Sequence, residues 1–581
     1  MKVSDIVIQF LENKKIEHVF TVSGGGCIHL IDSLGKSNNL KYICTHHEQA
    51  AAMAVEGYFR LSNKLSAAIV TTGPGGTNAL TGVLGCWMDS IPAIFISGQV
   101  SSNQLRDRTG CRQIGDQEFN IIDSVKPMTK YAVMLKNPKD ILYELEKAYD
   151  IATSGRPGPV WIDIPLDFQG AEVDFDDLKL YQESNILKNI DDSTLNTFKK
   201  MLEDSKKPLI VVGNGVRISN TVDMLNDFIK KYKIPVVTGV HSGIDSIDNE
   251  YELYSGRIGI LGQLTSNKIV QEADLLIILG SRLNVKMTGY NFKGFSPNSK
   301  KIQVDIDPSE IYKHKFPIDQ PIVADLKVFL QKISEEKYVL DINPWRDFVK
   351  ETRKQQIYYY PKHEKMKGYV SVYYFMSKFK NYAHSYPIIT SDGTAHVVTL
   401  QTYNLKKDQI CFTNVGCASM GYGLPAAIGA CFANNKKSVI CMEGDGSLQM
   451  NIQELQTITH HNLPIKLFVI NNEGYLSIKI TQETFFNGKE IASGPDSGIS
   501  FPNLSRICDA YGIKYFSIKN NNEIDEVLGS VFDYEGPLVC ELFSYPYEKH
   551  EPKVVHKGID KDGKIIPGEL TDMYISDVFN L

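Results

Sequence analysis

The chain has no CxxC pair, no uninterrupted apolar run of membrane-spanning length and no strong excess of one charge. Its 10 cysteines are scattered, which sets aside a zinc or disulfide framework and fits reduced thiols in a cytoplasmic protein. Cys27, Cys86 and Cys417 lie near glycine-rich loops, where the ordinary role of cysteine is that of a small buried hydrophobe. Without a run of about 20 apolar residues no transmembrane helix is predicted. The 62 Lys+Arg against 68 Asp+Glu leave a formal charge of -6 with both signs dispersed, so neither a nucleic-acid surface nor an acidic tail is expected. The first residues, Met1-Lys2-Val3-Ser4-Asp5, begin an amphipathic helix broken by Glu12, Lys14 and Lys15, which is no signal peptide. What these absences leave is a cytoplasmic globular protein, and 581 residues are enough for several domains.

What is present is a repeated alternation of short apolar runs and helical patterns, the signature of parallel sheets covered by helices. The first block carries Ala67–Thr71, Ile91–Ser97 and Val160–Ile164. The second carries Pro208–Gly213, Pro235–Thr238, Leu275–Gly280 and Ile302–Ile306, and the third Ile388–Thr390, Ser438–Met442, Ile465–Ile470 and Leu538–Leu542. Polar stretches at 167–192 and 335–367 read as linkers. The fold class is therefore α/β, with domains expected at 1–168, 190–335 and 365–545 and a tail at 546–581 that covers a site or wraps a neighbour.

Three segments carry chemistry. Gly444-Asp445-Gly446-Ser447 follows one apolar run and Asn471-Asn472 the next, with Gln449–Ile458 between them reading as a helix. In such a β-α-β unit Asp445 and Asn472 stand at the carboxyl ends of parallel strands, where open sheets bind ligands. Asp and Asn offer hard oxygens suited to Mg²⁺, and the glycines let backbone N–H groups close on phosphate. A GDG by itself is also an ordinary turn. The second segment is His46–Tyr58, where small residues after Glu48 let a helix pack closely against another element, across a subunit interface. Read alone, Glu48 is an ordinary first-turn acid. The third, Thr71–Asn78, is a glycine-rich turn opening a helix.

Together these segments resemble the thiamine-diphosphate (ThDP) enzymes, and among them the acetolactate synthase-like group. Asp445 and Asn472, 27 positions apart, match its diphosphate motif, and His47-Glu48-Gln49 its pyrimidine-activating segment. Gly73-Pro74-Gly75, Met88–Pro92, Gly98-Gln99-Val100, Gly155–Val160, Asp305-Ile306-Asp307 and Gly421–Gly429 match in the same order. The resemblance implies three doubly wound parallel-sheet domains, named for the pyrimidine, the middle and the diphosphate. It implies that Glu48 hydrogen-bonds N1′ of the aminopyrimidine and that Met420 wedges between the two rings of a bent cofactor. Asp445, Asn472 and the carbonyl of Gly474 would complete a Mg²⁺ shell. Gly393, Thr394 and His396, in Ser391-Asp392-Gly393-Thr394-Ala395-His396, match a loop touching the diphosphate, although His396 also reads as a structural histidine. Gly73, Pro74, Asn78, Ala418, Gly444, Gly446, Ser447 and Tyr475 complete the implied cofactor contacts. Gln117 matches a glutamine facing the reacting centre, and backbone N–H groups near Gly25 would meet a developing oxyanion.

The implied reaction is decarboxylation of a 2-oxo acid, pyruvate in the first instance, with carboligation to an acceptor carbonyl. The match fails on the acceptor side. Asp116, Lys286 and Thr481 stand where acetolactate synthases carry a phenylalanine, an arginine and a tryptophan. Lysine holds a carboxylate only as a point charge, and the aromatic losses make the pocket roomier and more polar. A hydroxylated or larger acceptor, such as a keto-sugar derivative, is expected. FAD is left open: Gly213-Asn214-Gly215, Gly280-Ser281-Arg282 and Gly289 are similar to flavin-binding segments, but Asn284 and Val285 replace two aspartates and Gln263 follows Gly262 in an altered loop. A simple decarboxylase, a flavin-linked oxidase and a catalytically silent subunit are the alternatives. The family pattern further implies a homodimer or homotetramer, with Glu48 of one chain facing Asp445 of its partner, and no nucleic-acid or membrane partner.

Overall fold

A computed structural model describes residues 1–106, 110–182, 190–391 and 393–575. The apolar runs become three six-stranded, wholly parallel sheets. The first holds β1 (His18–Thr21), β2 (Lys41–Cys44), β3 (Ala67–Val70), β4 (Ala93–Gln99), β5 (Tyr131–Met134) and β6 (Pro159–Pro165), in the order β2-β1-β3-β4-β6-β5. The second holds β7 (Pro208–Val212), β8 (Val236–Gly239), β9 (Tyr254–Ile258), β10 (Leu275–Leu279), β11 (Lys300–Asp305) and β12 (Gln320–Val323), in the order β12-β11-β10-β7-β8-β9. The third holds β13 (Ile388–Thr390), β14 (Cys411–Thr413), β15 (Val439–Gly444), β16 (Ile465–Asn471), β17 (Lys514–Ile518) and β18 (Leu538–Phe543), in the order β14-β13-β15-β16-β18-β17.

The first and third orders are one topology used twice. The middle order is that of dinucleotide-binding sheets. In each sheet one pair of neighbouring strands sends its connections to opposite sides: β1 and β3, β7 and β10, and β13 and β15. Loops leaving the carboxyl ends of those strands diverge there and leave a crevice. Gly25 and Gly73 follow β1 and β3, Gly213 and Gly280 follow β7 and β10, and Gly393 and Asp445 follow β13 and β15. Gly73-Pro74-Gly75, Gly213-Asn214-Gly215, Gly280-Ser281-Arg282 and Gly444–Ser447 thus lie at switch points.

The central strands are buried on both faces, which is why they read as continuous apolar runs. The helix Glu48–Ser62 packs on Gly423–Ala433 of the same chain, and their side chains join the N-terminal and C-terminal domains in one hydrophobic cluster. Its small residues are therefore already used within the chain. A Cβ on Gly57 would come within 2.7 Å of the Ala426 carbonyl carbon, and one on Gly429 equally close to Ala54.

Three local expectations change. Gln449–Ile458 is not one helix: Asp445–Gln449 ends early, and a 3₁₀ turn, Ile452–Glu454, precedes the helix Leu455–His461. The break falls where the Asn451 amide donates to Gly421 O (2.7 Å) and Gln49 Oε1 (3.1 Å), contacts that a continuous helix would turn away. The charged stretch 335–367 contains an amphipathic helix, Asn343–Lys354, whose Trp345 and Val349 complete the middle core. The tail is β structure, with β19 (Lys553–Val554) pairing β22 (Met573–Tyr574) and β20 (His556–Ile559) pairing β21 (Ile565–Pro567). It lies on its own middle domain, where Leu570 enters the core and Val554 N donates to Ile260 O at 2.8 Å. No helix among the described residues is long and apolar enough to cross a membrane.

Candidate active site

The diphosphate end is built by two strand termini. Gly444 closes β15 and Asp445 opens the next helix, so the Asp445 carboxylate projects from the switch point. Backbone N–H groups hold it from two sides: Gly446 N donates to Oδ1 at 2.7 Å, and Asn472 N (3.1 Å) and Gly474 N (3.2 Å) donate to Oδ2. Burial nevertheless pushes this carboxyl up to about 7. Asn472 is 4 % exposed, and its Oδ1 is buried with no hydrogen-bond partner among the described residues. Its Nδ2 donates to Thr394 Oγ1 at 3.4 Å. An orphaned carbonyl oxygen beside a strapped carboxylate is a hard-oxygen donor set for which Mg²⁺ is a fitting occupant.

Close backbone approach shapes the rest of this pocket. A Cβ on Gly474, at φ +142°, would overlap Ser493 O, and one on Gly446 would overlap the Tyr475 ring. Tyr475 N donates to Ser493 O at 2.8 Å. Gly421 N donates to Ser447 Oγ at 2.8 Å, tying the segment that carries Met420 to the Gly444–Ser447 turn. Ala418, at φ +52°, donates its N–H to Asn414 Oδ1 at 2.7 Å. Gly393, at φ +82°, precedes the helix Thr394–Thr402, which buries His396. Asp392 of that loop lies outside the described residues.

The Glu48 end sits at the switch point of the first sheet. His47 Nδ1 accepts from Gln49 N at 3.1 Å and caps the helix that Glu48 opens. Glu48 is 9 % exposed, and its Oε2 accepts from Asn78 Nδ2 at 2.9 Å. Gly73, at φ +59°, leads into Pro74 and the helix Pro74–Met88; a Cβ there would overlap Gln117 O. Gly25 opens a single 3₁₀ turn with free space where its Cβ would stand. The neighbouring N–H groups are already engaged, Gly26 N with Thr71 Oγ1 (3.1 Å) and Cys27 N with Gly24 O (3.2 Å), which narrows the oxyanion reading near Gly25 to Gly25 itself. Gln117 is exposed at φ +60°.

Contacts far apart in sequence link the two domains. His46 N donates to Glu454 Oε1 at 2.9 Å and Asn451 Nδ2 to Gln49 Oε1, so the diphosphate domain holds the residues flanking Glu48. Sequence reasoning passed over Glu454, a fully buried carboxyl pushed up to about 7 by burial. It also passed over Glu118, which accepts from Ile114 N (2.7 Å), Gly115 N (3.3 Å) and Arg106 N and so folds the loop presenting Gln117. Neither has a local signature, because His46, which ties one to the Glu48 segment, lies 408 positions away and the partners of the other form an irregular loop. Of the acceptor-side residues, Asp116 is exposed, Lys286 is partly buried on the helix Val285–Thr288, and Thr481 Oγ1 donates to Ser477 O (2.9 Å) on an exposed helix face. Among the described residues none of the three is bonded to another.

The middle sheet's switch point opens on a cleft of about 350 Å³, lined among others by Asn214, Gly215, Gly280, Ser281, Arg282 and His241. Here the glycines serve the fold: a Cβ on Gly215 would lie 2.7 Å from Gly280 Cα. His241 is buried, neither ring nitrogen has a partner among the described residues, and burial holds its pKa far below the usual histidine range.

Family models match the chain in three consecutive pieces: the thiamine pyrophosphate enzyme N-terminal TPP binding domain over residues 1–123, the central domain over 195–333 and the C-terminal TPP binding domain over 392–542. The acetolactate synthase large subunit of Lactococcus lactis is 32% identical over 573 residues, covering 97% of this chain and 96% of the relative. That of Buchnera aphidicola is 32% identical over 90% of this chain and 91% of its own. The chloroplastic acetolactate synthase of Arabidopsis thaliana is 31% identical over 96% of this chain and 83% of its own. Three models in order and relatives matched nearly end to end make this chain a member of the thiamine pyrophosphate enzymes, in their acetolactate synthase-like group.

Proposed function

We propose that the enzyme decarboxylates a 2-oxo acid, with pyruvate as donor, and joins the remaining acyl unit to an acceptor carbonyl. The observation that carries this reading is the strapped Asp445 carboxylate beside the orphaned Asn472 Oδ1, with Glu48 buried at the corresponding switch point of the first sheet. Asp445, Asn472 and the Gly474 carbonyl would hold Mg²⁺, and the Gly444–Ser447 turn with Gly393 and Thr394 would hold the diphosphate. When bound, thiamine diphosphate supplies the electron sink for the pair released as CO₂ leaves. Glu48 would hydrogen-bond the pyrimidine, while Asn78 keeps Oε2 fixed. Met420 would fill the space between the cofactor rings, and the Gly25 N–H would face developing negative charge. Gln117, on its bent loop, would face the reacting carbons.

On the acceptor side, Asp116, Lys286 and Thr481 make a polar rim suited to a hydroxylated ketone or aldehyde such as a keto-sugar derivative. Lys286 would meet an acceptor carboxylate as a single charge, not as a planar fork. The middle cleft suits a nucleotide cofactor such as FAD, since the sheet order, the switch point and the orphaned His241 nitrogens all call for a polar ligand there. A visible spectrum of the purified protein tests this, and a spectrum without flavin absorption would leave the middle domain structural.

The reaction is tested by incubating the protein with pyruvate, ThDP and Mg²⁺ and identifying products by mass spectrometry across a panel of carbonyl acceptors. Acetolactate, acetoin or an acyl-extended acceptor supports carboligation. Acetaldehyde alone, or acetate with peroxide, would replace it with a decarboxylase or an oxidase. Asp445→Ala is expected to abolish Mg²⁺-dependent ThDP retention, and unchanged retention would remove that ligand assignment.

A further inference from the structure

The tail brings a histidine to the metal end of the site. His550 Nε2 lies 3.1 Å from Thr394 Oγ1, and the same oxygen receives the Asn472 Nδ2 donor at 3.4 Å. Both sides of His550 are anchored. Glu548 accepts from Ser371 Oγ (2.5 Å) and Val372 N (2.9 Å), Glu551 N donates to Tyr373 OH (2.8 Å), and Gln401 Nε2 donates to Pro552 O (2.7 Å). The segment carrying His550 is thus held by two helices of the C-terminal domain, Val372–Phe379 with its cap Ser371, and Thr394–Thr402.

The polarity of this short chain of bonds matters. A primary amide can present either end to a metal, and only the carbonyl oxygen is a ligand. Asn472 turns its oxygen toward Asp445's side of the pocket only while Thr394 Oγ1 accepts from its NH₂ group. A threonine hydroxyl has one proton, and it keeps a lone pair for Asn472 when that proton points at an acceptor elsewhere. In its Nδ1–H tautomer His550 presents Nε2 as that acceptor. Burial keeps the imidazole neutral, so one nitrogen retains a lone pair. If Thr394 instead turned its proton to Asn472, the amide would be drawn into the opposite orientation, with its NH₂ group toward the cation.

We propose that His550 is a positioning residue that fixes the Asn472 amide as a metal ligand through the Thr394 hydroxyl. The proposal rests on the reading of Asn472 as a Mg²⁺ ligand. Residues that orient metal ligands change metal affinity by about 10–100-fold when removed, so the readout is the Mg²⁺ concentration giving half-maximal ThDP retention, measured by equilibrium dialysis without substrate. His550→Ala is expected to raise it at least about tenfold, with the apo-protein Tm within about 2 °C of the parent. His550→Gln, which keeps an acceptor, is expected to recover most of the loss. Thr394→Val breaks the same relay, so His550→Ala should add nothing in that background. An unchanged midpoint in His550→Ala, or effects that multiply with Thr394→Val, overturns the relay. If His550→Ala does not fold, His550→Phe, which fills the space without offering an acceptor, carries the same test alone and with Thr394→Val. Asn472→Ala separates the two readings: if it leaves the midpoint unchanged, the metal-ligand reading fails, and if it alone raises the midpoint, only the relay does.

Discussion

Glu454, which the sequence motifs do not mark, holds the His46 N–H next to Glu48 while fully buried from solvent. Its carboxyl is pushed from 4.5 up to about 7 by burial, against the Thr457 and backbone donors that favour the anion. The native state therefore holds a proton between about pH 4.5 and 7 that the unfolded chain has lost, and stability falls as pH rises through that window. Glu454→Gln keeps the acceptor for His46 and leaves Thr457 free to turn its hydroxyl. Urea midpoints taken from pH 4.5 to 8 are expected to show a shallower pH slope in the variant, by up to about 1.4 kcal/mol per pH unit. An identical slope would mean that Glu454 stays ionised. Short motifs such as Gly444–Ser447, Asn471-Asn472 or His47–Gln49 can be singled out in the sequence because each is contiguous. Glu454, Glu118, His241 and His550 cannot be, since their roles exist only once distant segments meet.

At the scale of elements, the central strands other than β1 were legible because a strand buried on both faces reads as an apolar run with no alternation to misjudge, whereas β1 and the short edge strands β2, β5, β9, β12, β14 and β17 gave no such run. Interruptions were harder, since the break at Asn451 depends on Gly421 and Gln49, neither of which belongs to that helix. The small residues after Glu48 signalled close packing, and the partner element is Gly423–Ala433 of the same chain. Their contact is backbone against backbone at Gly57 and Ala426 and at Ala54 and Gly429. No rotamer can relieve a Cβ placed there, and only separation of the helices could. Gly429→Ala is expected to destabilise the protein by about 3 kcal/mol, at the upper end for added volume in a packed core. Gly529→Ala, in open space on another helix, serves as the control and should be near neutral or slightly stabilising. Chemical denaturation of both variants checks the pair, and equal midpoints would show that the two helices can part without loss.

The whole molecule repeats one strand order in its first and third sheets, and each copy contributes its switch point to different chemistry. The first presents Glu48 and Gly73, the third Asp445, Asn472 and Thr394. Two like domains with complementary crevices suit a two-fold assembly, in which the first domain of one chain covers the third domain of another and the exchange is reciprocal. Such an arrangement places half of every site on each chain. Co-expressing Glu48→Gln and Asp445→Ala chains under different tags and isolating the doubly tagged species tests it. Each parent homodimer should be inactive. In the heterodimer one site inherits both substitutions and the other neither, so about half of the wild-type turnover per dimer is expected. If each chain instead completed its own site, every site would carry one lesion and the heterodimer would be as inactive as its parents. The comparison needs no knowledge of the acceptor, because any product of the donor half-reaction reports the intact site.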